Sequence, residues 1–444
     1  VSTPDVLVVG GGLAGIAAAL TAADAGASVM LLESRPTLGG ATASFRRGDL
    51  AVDTGQHVFL RCCTEYLKFL DRIGMAGQVV IQPRLHIPVR RPGGEDAELT
   101  RSNAPAPLHL ASALLRYRHL SRAERLSAAR AALAMKRLDP HALDTQTFAA
   151  WLREHRQSQR AIDRLWDLLC VATLNTPADK ASLALAAKVV QTGLLERADA
   201  ADIGMANLPL GELHGSAGRR ALEQAGCTIL RERAEQLLPG RVRTARQEIS
   251  AGAIIVAVPH DVAARLLPTG AVATPLAALG VSPIINIHVV YDRRVMVEPM
   301  MAVVDSEIQW VFDRTTPSGL RSGQYLAVSL SAADKYVDTP AAALRDTFLP
   351  ALAAVFPAAC SAEVRDFFVT RERAATFRQH PGCVAFRPGT RTNVTGLFLA
   401  GAWTDTGWPA TMEGAVRSGT TAARAALGAP VAGPPHPVPE EAVA

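Results

Sequence analysis

The stretch that most constrains this chain is its beginning, DVLVVGGGLAGIAAALTAADAGASVMLLESRP. Residues 5–9 are a short Val-rich apolar run that reads as a buried parallel strand. The run leads into Gly10, Gly12 and Gly15, spaced G-x-G-x-x-G, and then into an Ala/Ile/Leu helix that opens at Leu13-Ala14 and closes near Ala25-Gly26. A second strand over residues 28–32 ends on Glu33. This is a β-α-β unit with an acidic residue about 20 positions beyond the glycines, the arrangement that binds a dinucleotide. Gly10 permits the tight turn, Gly12 lets the backbone approach a pyrophosphate, and Gly15 lets helix and strand pack closely. The helix N-terminus would offer free amides and the positive end of its dipole to the phosphates. Glu33 would accept a hydrogen bond from an adenosine ribose hydroxyl. These residues do not separate NAD from FAD.

The continuation ESRPTLGGATASF does more. Glu33, Arg35, Gly39 and Gly40 form an E-x-R-x-x-x-G-G run that resembles the FAD signature of the amine oxidase and phytoene desaturase superfamily. That resemblance implies that Ser34, Arg35, Gly39 and Gly40 lie along the FAD pyrophosphate and ribityl chain. It also implies that the D-x-G-Q-H stretch from Asp53, with Gly55, Gln56 and His57, passes the isoalloxazine ring. The alternative readings are an exposed surface charge for Arg35 and a satisfied buried histidine for His57.

Composition narrows the class. The chain has 444 residues and is 49% hydrophobic, enough for two or three domains. Its net charge is +5, but only five of its 46 basic residues are Lys, a bias that fits base composition better than a nucleic-acid surface. No basic cluster interleaves with aromatics, which sets nucleic acid aside. Six cysteines include the adjacent pair Cys62-Cys63 and no C-x-x-C, so neither a metal site nor a secreted disulfide framework is expected. With a strand at its start and no uncharged apolar run of about 18 residues, the chain reads as cytoplasmic, without export signal or spanning helix. A peripheral position at the inner face of a membrane is compatible with this.

The texture along the chain predicts an α/β fold: a Rossmann-like FAD domain in three pieces (1–84, 215–282, 386–427) and an inserted α+β substrate domain. The helical part of that insert spans 85–214, with Pro-rich loops before helices over about 108–195. A capping box at Ser121 and Glu124 and a stop at Asp139-Pro140 bracket one helix. Its Arg130 and Arg137 fall near the Leu126/Leu133 face, so a surface helix is favoured over a membrane-lying one. The sheet part, 283–385, alternates as a mixed sheet with one exposed face would, followed by a helix over about 341–355. Residues 428–444 are Pro-rich and read as a disordered tail. In the superfamily a backbone contact to adenine follows the strand near Ala234; a hydrophobic contact there is equally plausible.

Late in the chain, GLFLAGAWTDTGWPATMEGAVRSG reads as a last strand over 396–400, a loop, and a helix starting near Thr411. By the superfamily resemblance, Gly401 and the loop meet the flavin, and the amides of Thr411 and Met412 point at its N1/O2 edge. Such amides would stabilise the negative charge of reduced flavin. Together with GQHVF, APLHLASALLRYRHLS and WDLLCVATLN, this motif resembles the hydroxysqualene dehydroxylase family over nearly the whole chain. One departure stands out. That family usually carries an acid after the A-G of the loop, bonding the ribityl hydroxyls, whereas this chain has Ala402, with Asp405 three residues on as a substitute.

The resemblance implies an FAD-dependent oxidoreductase of squalene and hopanoid biosynthesis that replaces the allylic hydroxyl of hydroxysqualene with hydrogen. Its partners would be that long isoprenoid substrate, upstream enzymes of the pathway and a membrane surface. The reaction needs an acid for the leaving oxygen, and His57, Asp313 and Asp405 are the candidates. Alternatives are a phytoene-type desaturase of a long polyisoprenoid and a non-catalytic flavin-binding scaffold of a lipid pathway. An amine oxidase is disfavoured because no Lys lies between Lys188 and Lys335. An NAD-only dehydrogenase would leave the C-terminal motif unexplained.

Overall fold

The computed structural model describes residues 3–140 and 144–429. Its nucleus is a five-stranded parallel sheet in the order Thr228–Leu230, Val29–Leu32, Val6–Val9, Ala253–Val256 and Leu397–Leu399. Three distant stretches of chain therefore build one sheet, and Val6–Val9 lies at its centre, with Val8 opposite Leu31 on one side and Ile255 on the other. All four of its residues are buried, because both faces are covered; a strand of this kind reads as a continuous apolar run. Val6 and Val8 face a core built with the helices Leu13–Asp24, Thr64–Arg72, Ala217–Gln224 and Met412–Ala426. Leu7 and Val9 face the other way, toward Leu237, Val242 and Ile249 of a three-stranded antiparallel meander that begins at Ala234.

The second sheet is mixed and seven-stranded. Its order is Val364–Thr376, Ser282–Tyr291, Gln324–Ser331, Trp310–Asp313, Met300–Val303, His86–Arg90 and Ala97–Thr100. Two sequence expectations need correction. The stretch around residues 85–100, expected as Pro-rich loops, supplies the last two strands of this sheet. Pro88 is tolerated because the register with Met300–Val303 begins only at Val89, so the missing N–H is not needed on that side. Nor does the sheet expose one face: nine of the ten residues of Ser282–Tyr291 are buried, because the strand Leu50–Asp53, with Val52 against Val290, and the turn at Thr54 cover one side and the helix Ala341–Val355 packs on the other.

Among the described residues, helices dominate the stretch from Ala111 to Leu195. Ser121 and Glu124 form the expected capping box of Arg122–Met135, although that helix ends before Asp139-Pro140. Among the described residues, three short π-helical stretches adjoin α-helices: Ile162–Trp166 precedes Asp167–Leu174, Gln191–Leu195 ends Leu183–Val190, and, further on, Gly211–Ser216 precedes Ala217–Gln224. No periodicity in the sequence marks them, since a π turn adds one residue to an otherwise helical pattern. Among the described residues no helix is long and apolar enough to cross a membrane. Residues 430–444, most of the Pro-rich tail, lie outside the described residues.

Candidate active site

Gly10, at the end of the central strand, has a φ of +110°, and a Cβ on it would stand 2.5 Å from the Ala257 carbonyl oxygen. Gly15 is tighter still: its Cβ would lie 1.8 Å from Gly10 O. Gly12 is different, because the nearest atom to a Cβ there is Gly40 Cα at 3.8 Å. It is the N-cap of Leu13–Asp24, a helix without side-chain cap or acid in its first turn. The amides of Leu13 and Ala14 and the positive end of the dipole are thus left for an anion.

Gly39 and Gly40 close on this loop. Gly39 N donates to Gly11 O at 2.8 Å, and a Cβ on Gly40 would come within 2.9 Å of Gly12 Cα. The Glu33 carboxylate accepts from Gly11 N at 2.8 Å through Oε2 and from Arg35 N and the Ser34 hydroxyl through Oε1. It is held by main chain and keeps acceptor capacity for a hydroxyl. Arg35 is exposed, and its charge favours ionisation of Glu372, whose carboxyl burial pushes up.

A second wall is the turn of Thr54, Gly55, Gln56 and His57. Thr54 O accepts from Asn286 Nδ2 and from the Thr370 hydroxyl, both at 3.2 Å, tying the turn to the mixed sheet. His57 Nδ1 lies 3.2 Å from Gly55 O. Burial lowers the His57 pKa and outweighs the support of Gly55 O and Asp53; the Arg314 charge lowers it further. Asp53 is itself engaged, accepting from Arg314 at 2.7 Å and from Leu210 N at 2.9 Å.

Three buried polar atoms border this turn without a protein partner: Gln56 Nε2, Asn286 Oδ1 and His214 Nδ1. Asn286 Nδ2 would lie 3.9 Å from a Cβ on Gly55, and His214 is near enough to His57 to feel its charge. Buried polar atoms of this kind are costly unless a partner satisfies them. An amide donor, an amide acceptor and an imidazole nitrogen are the groups that suit the N–H and C=O edge of an isoalloxazine ring.

The third wall comes from the far end of the chain. Gly401, with φ of +144°, donates its N–H to Ser418 Oγ at 2.7 Å. The Trp403 indole N–H donates to Val258 O at 2.9 Å. Thr411 caps the helix Met412–Ala426, its hydroxyl accepting from Gly414 N at 3.1 Å. Ala402 is half-buried, and its carbonyl accepts from Arg387 Nη2, which also reaches Thr404 O.

Asp405 and Asp313 are occupied locally. Asp405 Oδ1 accepts from Gly407 N at 3.2 Å, closing its own turn. Asp313 accepts from Thr315 N at 2.9 Å and from Gln324 Nε2 at 2.7 Å, which makes it the clasp of the turn after its strand. Ala234 is half-buried at the start of the meander.

Sequence reasoning missed five residues here. Asn286 and His288 interrupt an Ile/Val strand with polar groups at alternate positions, a readable signal. His214 sits in a π-helical stretch, with Tyr66 OH 2.7 Å from its Nε2. Arg387 is 5% exposed and makes no ion pair among the described residues; burial lowers its pKa. Glu413 is fully buried and accepts from Tyr66 N at 2.8 Å and Arg417 Nε at 2.6 Å, clasping the last helix to Thr64–Arg72. Nothing in the sequence separates these last three from surface positions. No cluster of metal-binding side chains occurs among the described residues.

Comparison with known proteins accords with this geometry. The family described as flavin containing amine oxidoreductase matches residues 13–427. A hydroxysqualene dehydroxylase of Sinorhizobium fredii is 32% identical over 60% of this chain, the match spanning 62% of that protein's own length. One from Rhodopseudomonas palustris is 28% identical over 96% of this chain and 98% of the relative. The zeta-carotene desaturase of Zea mays is 25% identical over 93% of this chain and 82% of the relative. Among solved structures, a triple mutant of putrescine oxidase superposes with a TM-score of 0.74 at 18% identity, covering 96% of this chain and 99% of that one. Cyclohexylamine oxidase from Brevibacterium oxydans gives 0.69 at 18% identity, covering 96% and 99%. At those identities the structures speak for the fold alone. The protein belongs to the flavin-containing amine oxidoreductase family, and its cofactor is FAD.

Proposed function

We propose that this oxidoreductase converts hydroxysqualene to squalene by reductive dehydroxylation. The observation that carries the reading is similarity to the Rhodopseudomonas palustris hydroxysqualene dehydroxylase across 96% of this chain and 98% of that protein. FAD, when bound and reduced, supplies the hydride equivalent. In this reading residues 1–84, 215–282 and 386–427 hold the cofactor. Gly12, Leu13, Ala14, Gly39 and Gly40 take the pyrophosphate, Glu33 the ribose, and Ala234 the adenine edge. The amides at Thr411 and Met412 favour negative charge at the far end.

The chain's own chemical task is the leaving oxygen. The C–O bond breaks, the oxygen departs as water with a proton, and hydrogen takes its place on carbon. His57 is assigned that proton. Its Nδ1 faces Gly55 O, which leaves Nε2 free to carry the exchangeable one. A depressed pKa makes the charged imidazole a stronger acid once formed. Asp313 and Asp405 are weaker assignments, because their carboxylates already serve their own turns.

A second reading, desaturation of a long polyene, is favoured by the Zea mays similarity over 93% of the chain. Product analysis separates the two. The holoprotein is incubated with hydroxysqualene under reducing conditions and with zeta-carotene under oxidising ones, and both extracts are analysed by mass spectrometry. Squalene in the first and no desaturated product in the second supports the proposal; the reverse pattern supports desaturation.

A further inference from the structure

The outer side of the helical region carries a surface that the reaction does not use. Leu108, Leu115, Leu126 and Leu133 are 63%, 70%, 54% and 52% exposed. Leu115 lies on the helix Ala111–Arg116, and Leu126 and Leu133 lie on Arg122–Met135, seven residues apart and so on one face. Arg125 joins the two helices, donating to Leu115 O and to Leu120 O. These leucines are not a core stripe turned outward by accident. The core face of Arg122–Met135 is the opposite one, where Ala128, Ala131 and Met135 are buried.

Cations surround the leucines. Arg122 and Arg130 stand one turn either side of Leu126, and Arg137 stands one turn beyond Leu133. With Arg116 and Lys136 they are exposed, and none of the five forms an ion pair among the described residues. Glu124, the one acid on the helix Arg122–Met135, is turned aside and bound by Arg160 at 2.7 Å and by the Ser158 hydroxyl at 2.6 Å. The mixing of Leu and Arg that spoils an amphipathic pattern in the sequence is thus confined to the outward face.

We propose that this face docks the protein on an anionic lipid bilayer. Single exposed leucines mean little, but Leu115, Leu126 and Leu133 beside five cations that form no ion pair among the described residues match the two layers of such a surface. Leucine tips enter the acyl boundary while Arg and Lys reach the headgroup phosphates from flexible stems. The inference stands on the surface and does not depend on which isoprenoid is the substrate.

The test is co-sedimentation of the full-length holoprotein with vesicles of phosphatidylcholine alone or with 30% phosphatidylglycerol. We expect binding to the anionic vesicles, at least tenfold weaker on the neutral ones. L126D/L133D and R122E/R130E should each lose most of that binding, with flavin absorbance and melting temperature unchanged. Absence of binding to anionic vesicles, or equal binding by the variants, overturns the proposal. So does a stable dimer in solution that L126D/L133D dissolves, since a second copy would then be the occupant. Vesicle binding without squalene formation would leave the docking surface standing and remove the substrate assignment.

Discussion

Gly419 of the last helix lies against the carbonyl of Ala14 in the first: a Cβ at position 419 would stand 2.1 Å from Ala14 O. Two helices some 400 residues apart in sequence are packed backbone to backbone, and this contact seats the middle of Met412–Ala426 against the first turn of Leu13–Asp24. Gly419→Ala should therefore force the helices apart, costing about 1–3 kcal/mol as overpacking does. Chemical denaturation checks this; a stability equal to the parent's would mean that the contact is looser than described.

The three glycines of the first loop should respond differently to substitution. Gly15→Ala meets Gly10 O and should impair folding itself. Gly12→Val has room in the fold, since nothing lies within 3.8 Å of its Cβ, yet its side chain would occupy the approach to the helix N-terminus. The expected outcome is a Gly12→Val protein with unchanged far-ultraviolet dichroism and no flavin absorbance. A fully flavinated Gly12→Val protein would contradict the phosphate-loop assignment.

His57→Ala should retain flavin and lower the single-turnover rate by roughly 10² to 10⁴, the contribution of a positioned acid. The parent rate should rise as pH falls from 8 through 6.5 toward the depressed His57 pKa, because the charged form is the donor. The variant should show no such rise. Equal rates in the two proteins would remove His57 from the mechanism.

Stability should fall on acidification. His214 and His288 are buried, and burial pushes each imidazole down to about 3. In the unfolded chain each takes up a proton near pH 6.5, which the native state refuses. Their contribution is complete above pH 6.5 and is lost as pH drops toward 3, at up to about 1.4 kcal/mol per pH unit for each histidine. His288 also stacks on Phe368 with ring centroids 4.5 Å apart and holds the Tyr325 and Thr370 hydroxyls at 2.7 and 3.0 Å, so His288→Gln, which keeps a polar group but does not titrate, is the comparison. Denaturation between pH 7.5 and 5 should show a shallower slope in that variant; an unchanged slope would place the proton uptake elsewhere.

Much of the cofactor half was legible in the sequence because backbone-driven sites leave a mark in residue type. Gly10 and Gly40 must be glycine for their positive φ, and Gly15 for its approach to Gly10 O. The strand at Val6–Val9 and the capping box at Ser121 and Glu124 follow from equally local rules. What stayed hidden depends on partners far away in the chain. Arg387 meets the Ala402 carbonyl, and Asn286 meets Thr54 O across the join between sheets. The strand at His86–Arg90 reads as a loop in the sequence because its proline fits a strand only where the neighbouring register leaves the N–H unneeded.

The central claim is the direction and substrate of hydride transfer. The most direct measurement is anaerobic: the bound flavin is reduced, hydroxysqualene is added, and flavin reoxidation is followed with squalene quantified by mass spectrometry. The account predicts one squalene for each flavin reoxidised. Flavin that stays reduced, with no squalene formed, would contradict it.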